Sequence, residues 1–353
     1  MSISVTDLQP TDLSEYEVFV KSLPHSMLYQ GVDFKSLLEM TLDSAKSRYL
    51  LAKIDGRIVG ALPLFVMSQG GVSLVNSLPF YGSHGSVITT PDHAEAVYPL
   101  LMERVDKICR EFNALTCTLI ASPLDPCGHM LPEFFPHDFV DTRTGQLSDL
   151  RGLSGSGDVR EAIMSNMHVK SRNALRKSLK SGFSIETSSD GQALESLWAL
   201  HAENMESIGG LAKPRQFFMD IPRVFDGGSD YQVLRACRDG ETAASLLVFY
   251  WNRVAEYFTP TINPAFRSEQ PLSSLILASM ECAVERGLDW WNWGGTWKSQ
   301  QGVYRFKSRW GAQDIDYRYF IKSYRTNEEL RSFQQSGRHQ SFPYFYAFPF
   351  GDL

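Results

Sequence analysis

Residues 49–67 read YLLAKIDGRIVGALPLFVM, and residues 231–250 read YQVLRACRDGETAASLLVFY. Each places an Asp-Gly pair, Asp55-Gly56 or Asp239-Gly240, between two apolar runs. Asp-Gly favours a two-residue hairpin turn, because both central positions need positive φ. Sliding one stretch onto the other by 184 positions lays Ala52 on Ala236, Asp55 on Asp239, Gly56 on Gly240 and Leu62 on Leu246. The surroundings agree. A helical stretch precedes each hairpin, at 33–46 and 190–207. A strand and then a long helix follow, the helices at 94–113 and 271–286, and each leads to another strand, at 115–121 and 288–294. One order of elements repeated once predicts a duplicated α/β (α+β) chain, each copy a mixed central sheet flanked by helices.

A chain of 353 residues suits two such copies. The glycines at 145, 152, 155 and 157 mark the crossing between them. The expected domains are 1–150 and 158–340, the second holding the active site. Residues 341–353, SFPYFYAFPFGDL, are aromatic and proline-rich, and read as an extended tail packed back on the protein.

The net charge of −6 and pI near 5.8 argue against polyanion binding by the whole surface, DNA included, so any phosphate contact is local. The five cysteines are scattered, without metal-ligand spacing, and read as free thiols in a reducing compartment. No metal site is expected. The polar, acidic start MSISVTDLQPTDLSEYE is unlike a signal peptide, and no apolar run is long enough to span a bilayer. The expected location is the cytoplasm.

Two stretches concentrate basic charge. Residues 161–181, EAIMSNMHVKSRNALRKSLKS, read as one helix that Asn166 can cap or kink. At 100° per residue, Arg172, Arg176, Lys177 and Lys180 fall on one face, and Ala174, Leu175 and Leu179 on the other. No acidic residue lies between His168 and Ile185 to pair with the cations. Residues 288–312, LDWWNWGGTWKSQQGVYRFKSRWGA, run from an aromatic strand through Gly294-Gly295 into a short amphipathic segment. Glycines at a strand end let a ligand approach the backbone. From Lys298 to Arg325 there are seven basic residues against two acidic ones. Lys307, between Phe306 and Trp310, can pack its stem and aim its amine at a developing oxyanion or at a donor phosphate.

HVKSRNALRKSLKSGFSIE (168–186) resembles the basic helix, glycine and strand element of FemAB-like (BioF2-like) acyltransferases. GVYRFKSRWGA (302–312) resembles their Gly-x-Tyr-x-Phe-Lys-x-x-aromatic-Gly element, and SLPFYGSHGSVIT (77–89) their Pro-Phe-x-x-x-Gly stretch. The resemblance covers about residues 30–325. It implies two tandem GNAT-like domains and an N-acyltransferase, in a family that includes enzymes of bacterial cell-envelope biosynthesis. The donor is then acyl-CoA or aminoacyl-tRNA, a substrate rather than a tightly bound cofactor. The acceptor is an amine of a small molecule, glycan or peptide. Phe306 and Lys307 match the family's Phe-Lys pair, whose lysine is implicated in transition-state stabilisation. Lys170, Arg172 and Arg176 match its phosphate-contacting helix, to which Arg305, Gly294 and Gly295 are added on the donor side. The family often carries Asp where this chain has Asn292. Residues 263–274, NPAFRSEQPLSS, lack the glycine-rich pyrophosphate loop of many GNAT enzymes. Residues 190–230 read as one helix and a loop, without the coiled-coil arm of the tRNA-dependent members.

Acylating an amine requires a proton acceptor. Glu256, on the strand after the second hairpin, is one candidate. Tyr304 and Tyr81 are hydrogen-bond donors. Tyr81, His84 and Asn292 are the expected acceptor-side residues. No Ser-His-Asp or Cys-His arrangement is present, so direct transfer is the expected route. The competing readings are a non-catalytic RNA- or nucleotide-binding module and a degenerate GNAT paralogue.

Overall fold

The structure is a computed structural model that describes residues 2–80 and 84–349. Along the chain come β1 (Ile3–Asp7), α1 (Leu13–Ser22), α2 (Val32–Thr41), β2 (Ala45–Ser47), β3 (Leu50–Ile54), β4 (Arg57–Leu62), β5 (Phe65–Gln69), β6 (Val72–Asn76), β7 (Ile88–Thr89), α3 (Pro91–Glu111), β8 (Ala114–Ile120) and α4 (Leu131–Phe134). Then follow β9 (Phe139–Asp149), α5 (Val159–Asn166), α6 (Val169–Lys180), β10 (Ser184–Ser188), α7 (Gly191–Glu206), α8 (Arg215–Val224), β11 (Tyr231–Arg238), β12 (Glu241–Trp251), β13 (Val254–Ile262), α9 (Pro271–Glu285), β14 (Trp290–Thr296), α10 (Gln301–Ser308), β15 (Gln313–Ser323) and α11 (Asn327–Gln335).

The chain forms two compact units, one of residues 1–143 with 316–353 and one of residues 144–315. The expected division at 150–158 is therefore corrected. Strand β9 leaves the first unit at Arg143, and β15 re-enters it at Asp316. Residues 316–340 belong with the first unit because β15 pairs antiparallel with β8, Tyr319 opposite Ile120 and Ser323 opposite Thr116. The tail also belongs there. Thr116 Oγ1 donates to Ala347 O at 2.8 Å, and Phe342 and Phe348 are buried in an apolar cluster with Leu74, Leu115 and Ile321.

The two hairpins match residue for residue. Leu50 faces Leu62 in β3–β4, and Leu234 faces Leu246 in β11–β12. The register shifts between Ala52 and Lys53 in one, and between Ala236 and Cys237 in the other. Both turns carry positive φ, 49° and 79° at Asp55-Gly56 and 54° and 83° at Asp239-Gly240. A shared bulge at one offset is stronger evidence of duplication than shared turn chemistry, because bulges are tied to a fold's geometry.

Each unit has one parallel strand pair among antiparallel neighbours. In the first unit β6 runs parallel to β8; in the second, β13 runs parallel to β14. In the second unit the order is β10-β11-β12-β13-β14-β9. Helix α9 packs on this sheet and is buried along most of its length, from Leu272 to Val284. Helix α3 shows one apolar face, Val97, Leu101, Val105 and Ile108, at the spacing of a half-buried helix.

Two helix expectations change. The basic segment is two helices, because the chain turns extended at Met167 (ψ 146°) and His168 re-caps it, its side chain accepting from Lys170 N. Within α6 the buried positions are Ser171, Leu175 and Ser178, while Leu179 is 45% exposed. Residues 190–230 hold two helices, not one. Pro214 starts α8, and Phe217, Phe218 and Ile221 bury its apolar face.

Candidate active site

The second unit supplies most of the expected residues. Strands β13 and β14 keep parallel register for three residues, ending with Glu256 opposite Asn292. Just beyond, each strand bulges against its other neighbour. Phe258 is the extra residue between Tyr257 and Thr259 on β13, and Trp293 the extra residue between Asn292 and Gly294 on β14. Bulges bend strands. Both strands run on, to Ile262 and Thr296, with no further pairing between them among the described residues, which leaves a wedge whose apex is the Glu256–Asn292 pair.

Both apex residues are buried. Asn292 Nδ2 donates to Glu256 Oε2 at 2.8 Å, and Asn292 Oδ1 accepts from Gly294 N at 2.9 Å. Gly294 has φ of +71°, a conformation that side-chain-bearing residues rarely adopt. Its carbonyl, with that of Gly295, accepts from Lys307 Nζ at 3.3 and 3.4 Å, and Thr296 Oγ1 accepts from the same amine at 2.9 Å. Gly294 and Gly295, expected on the donor side, turn their carbonyls to the lysine.

Lys307 is the one buried residue of α10. Burial pulls its amine down to about 8. No carboxylate among the described residues forms an ion pair with it. The exposed lysine that a basic amphipathic helix would suggest is absent, and an ammonium in a low-dielectric wall takes its place. Phe306 packs edge-on against Trp293, ring centroids 6.3 Å apart. Arg305 is exposed on the same helix.

Helix α10 is held from several sides. Tyr304 OH donates to Asp314 Oδ2 at 2.7 Å, and Gln146 Nε2 donates to Ser308 Oγ at 2.8 Å and to Asp314 Oδ1 at 3.1 Å. His168 N donates to Arg309 O at 2.9 Å, joining the start of α6 to the end of α10. The chain leaves α10 through Gly311, φ +79°, where a Cβ would stand 2.7 Å from Asn166 O. Tyr304 is thus engaged in anchoring the helix.

The basic residues of α6 are spread along it. Arg176 lines a shallow depression with Asn173, Lys177, Lys180 and Ser181; Lys170 and Arg172 stand nearer the α10 junction, at the N-terminal end. His84 lies in the first unit and is buried, its ring 4.3 Å from that of Tyr317 and 5.6 Å from that of Tyr29. Burial takes its imidazole down to about 4. It is a packed, neutral histidine rather than one displayed on a glycine-rich loop. Tyr81 lies outside the described residues.

The sequence reading passed over Lys213. It is buried, its amine 5.2 Å from the centre of the Phe258 ring, and burial brings it down to about 8. His201 Nε2 accepts from Lys213 N at 3.0 Å. A lysine in a loop before a helix carries no motif, so only its burial reveals it. No group of three or more His, Cys, Asp or Glu among the described residues could hold a metal ion, and no described helix is long and apolar enough to cross a membrane.

Residues 165–308 match the family described as Acetyltransferase (GNAT) domain, a span that includes α6, the wedge and Lys307. FemX has the same fold, with a TM-score of 0.72 at 15% identity over 94% of this chain and 99% of that one. A tandem GNAT protein from the clavulanic acid biosynthesis pathway aligns with a TM-score of 0.57 at 12% identity, over 92% and 100%. L-PGS from Bacillus licheniformis aligns with a TM-score of 0.54 at 14% identity, over 92% and 95%. No curated protein matches the chain in sequence.

Proposed function

We propose that this chain, whose residues 165–308 match the family described as Acetyltransferase (GNAT) domain and whose fold is that of tandem GNAT proteins, is an N-acyltransferase in which Lys307 stabilises the oxyanion formed when an acceptor amine attacks an activated acyl carbonyl. The donor is acyl-CoA or aminoacyl-tRNA. The acceptor is an amine of a cell-envelope, sugar or metabolite molecule.

One observation carries this reading. A buried ammonium with no carboxylate ion pair among the described residues sits at the strand end beside the β13–β14 wedge. Keeping a charge there costs several kcal/mol, and groups held at such a cost cluster at functional sites. Its three N–H groups are taken up by two carbonyls and a hydroxyl. The two carbonyl bonds are long, so an oxyanion can displace one at little cost. An ammonium already held in the wall needs to exchange only one weak partner when charge develops, and removing such a donor typically lowers turnover about 10²–10³-fold.

The wedge suits an acyl donor. Beyond Glu256, the β14-facing edge of β13 has no paired strand among the described residues. Such an edge can bind an extended amide-bearing arm through its backbone. The basic face of α6 suits the donor's phosphates. Glu256, at the apex, is the proton acceptor in this reading, its buried carboxylate already accepting from Asn292 Nδ2.

The test is transfer of labelled acyl groups from a panel of acyl-CoAs and charged tRNAs to amine acceptors, followed by mass spectrometry. Transfer that Lys307→Ala abolishes supports the reading. Salt-dependent RNA binding with no transfer from any donor would favour a binding module instead.

A further inference from the structure

Asn292 was expected to contact the acceptor, yet it is 1% exposed and both ends of its amide are engaged. We infer that Asn292 is a positioning residue, whose amide fixes the Glu256 carboxylate through Nδ2 and the Gly294 peptide through Oδ1. The inference rests on the acyl-transfer reading of this site. One side chain thereby connects the two groups that reading requires. The path runs from Glu256 Oε2 to the Asn292 amide, to Gly294 N, and from Gly294 O to Lys307 Nζ.

The chemistry of the amide explains the residue. A carboxylate at 292 could accept from Gly294 N but could not donate to Glu256. Two carboxylates at such a distance share one proton. An apolar residue would leave both the carboxylate and the Gly294 N–H without their present partner. Asn292 presents Oε2 of Glu256 as an acceptor, the form a general base needs. In the transfer, the amine nitrogen bonds to the acyl carbon and the bond from that carbon to the donor oxygen or sulfur breaks. The amine proton passes to Glu256 and then to the departing alkoxide or thiolate. Among the described residues, titratable groups on or linked to this stretch of β13 include Lys307, through Gly294 and Asn292, Lys213 over Phe258, His201 beside Lys213, and Tyr257. His201 is held near 4, the lysines near 8, and Tyr257 above its ordinary value. An acid limb that moves in N292D therefore reports on the carboxylate and not on these groups.

The experiment compares pH–rate profiles of wild type, N292D, E256Q and the exchanged pair E256Q/N292D, with melting temperatures as a check on folding. N292D is expected to move the acid limb to higher pH and to lose at least about tenfold in turnover near pH 6, recovering part of it at pH 8. The exchanged pair is expected to recover about tenfold over E256Q. An acid limb unmoved in folded N292D, or an exchanged pair no better than E256Q, would overturn the inference. A second readout needs no activity: 13C NMR titration of the Glu256 carboxyl. It should show one step in wild type and two coupled steps in N292D; the same single step in both would also overturn it. Wild-type protein that transfers nothing from either donor, while Glu256 titrates as expected, sinks the acyl-transfer reading and leaves the positioning geometry standing.

Discussion

The Lys307 amine donates to Thr296 Oγ1 at 2.9 Å, so the one buried side chain of α10 is fastened to the last residue of β14. That bond joins the two elements on which the proposed chemistry depends.

Replacing the lysine separates function from stability. Lys307→Met keeps most of the packed stem and removes the buried charge. Turnover is expected to fall at least 10²-fold. At pH 7 the variant is expected to be more stable, by on the order of 2 kcal/mol, because an unpaired buried charge is removed. Denaturant melts at pH 7 check the sign. A variant both inactive and strongly destabilised would point to a structural lysine.

The same amine gives a pH signature. Its folded value is about 8 against an ordinary 10.5. Between those values the unfolded chain holds a proton that the folded chain has released. Lys307 therefore makes folding more favourable as pH rises from about 8 to 10.5, and the effect is lost as pH falls through 8. The buried Lys213 shares this window. Turnover that needs the ammonium runs the other way and should decline above about pH 8. A stability profile and an activity profile of opposite slope would check both, and a Lys307→Met melt series isolates the share of Lys307.

Tyr304 offers a choice between anchoring and catalysis. Its hydroxyl is bonded to Asp314 Oδ2. Tyr304→Phe should lower stability only slightly and turnover by less than tenfold. Asp314→Asn should behave alike. Loss of turnover beyond 10²-fold in Tyr304→Phe with an unchanged melt would mean that the hydroxyl touches substrate.

Gly311→Ala tests how firmly α10 must be seated. A Cβ there would meet Asn166 O at 2.7 Å, on a backbone with φ of +79°. Two separate penalties act together, and a loss of at least about 2 kcal/mol is expected. Gly302→Ala, where nothing lies within 4 Å of the added atom, is the matched control on the same helix.

The basic face of α6 predicts a donor effect only. Reversing charge at Lys170, Arg172 and Arg176 should raise the donor KM and flatten its salt dependence while leaving kcat within a few-fold. A collapse of kcat at saturating donor would assign these residues to the chemistry instead.

Much of the fold was legible because it rests on local signals. Asp-Gly turns, the repeated order of elements and the helix ends are written within short windows, and the 184-residue offset carried through to the bulges. The domain boundary was not. The glycines at 145–157 mark a flexible stretch, but long-range pairing of β15 with β8 determines where the units divide. The break at Met167 was half visible in Asn166, and α8 was hidden by Pro214 and the glycines before it.

The site divides the same way. The sequence by itself pointed to the proposed chemistry, through the resemblance of its GVYRFKSRWGA stretch to FemAB-like acyltransferases and the lysine it sets between aromatics. Only the tertiary structure decided what those groups do to one another. Burial lowers the Lys307 amine, a feature that depends on the walls around it and not on its neighbours in the chain. Glu256 and Asn292 are 36 residues apart and meet only because β13 and β14 run parallel in register. Lys213 became visible as a buried lysine only once packed over Phe258. Turns and helix ends are short-range, so they can be read in sequence, whereas desolvation and pairing across strands belong to the folded chain alone.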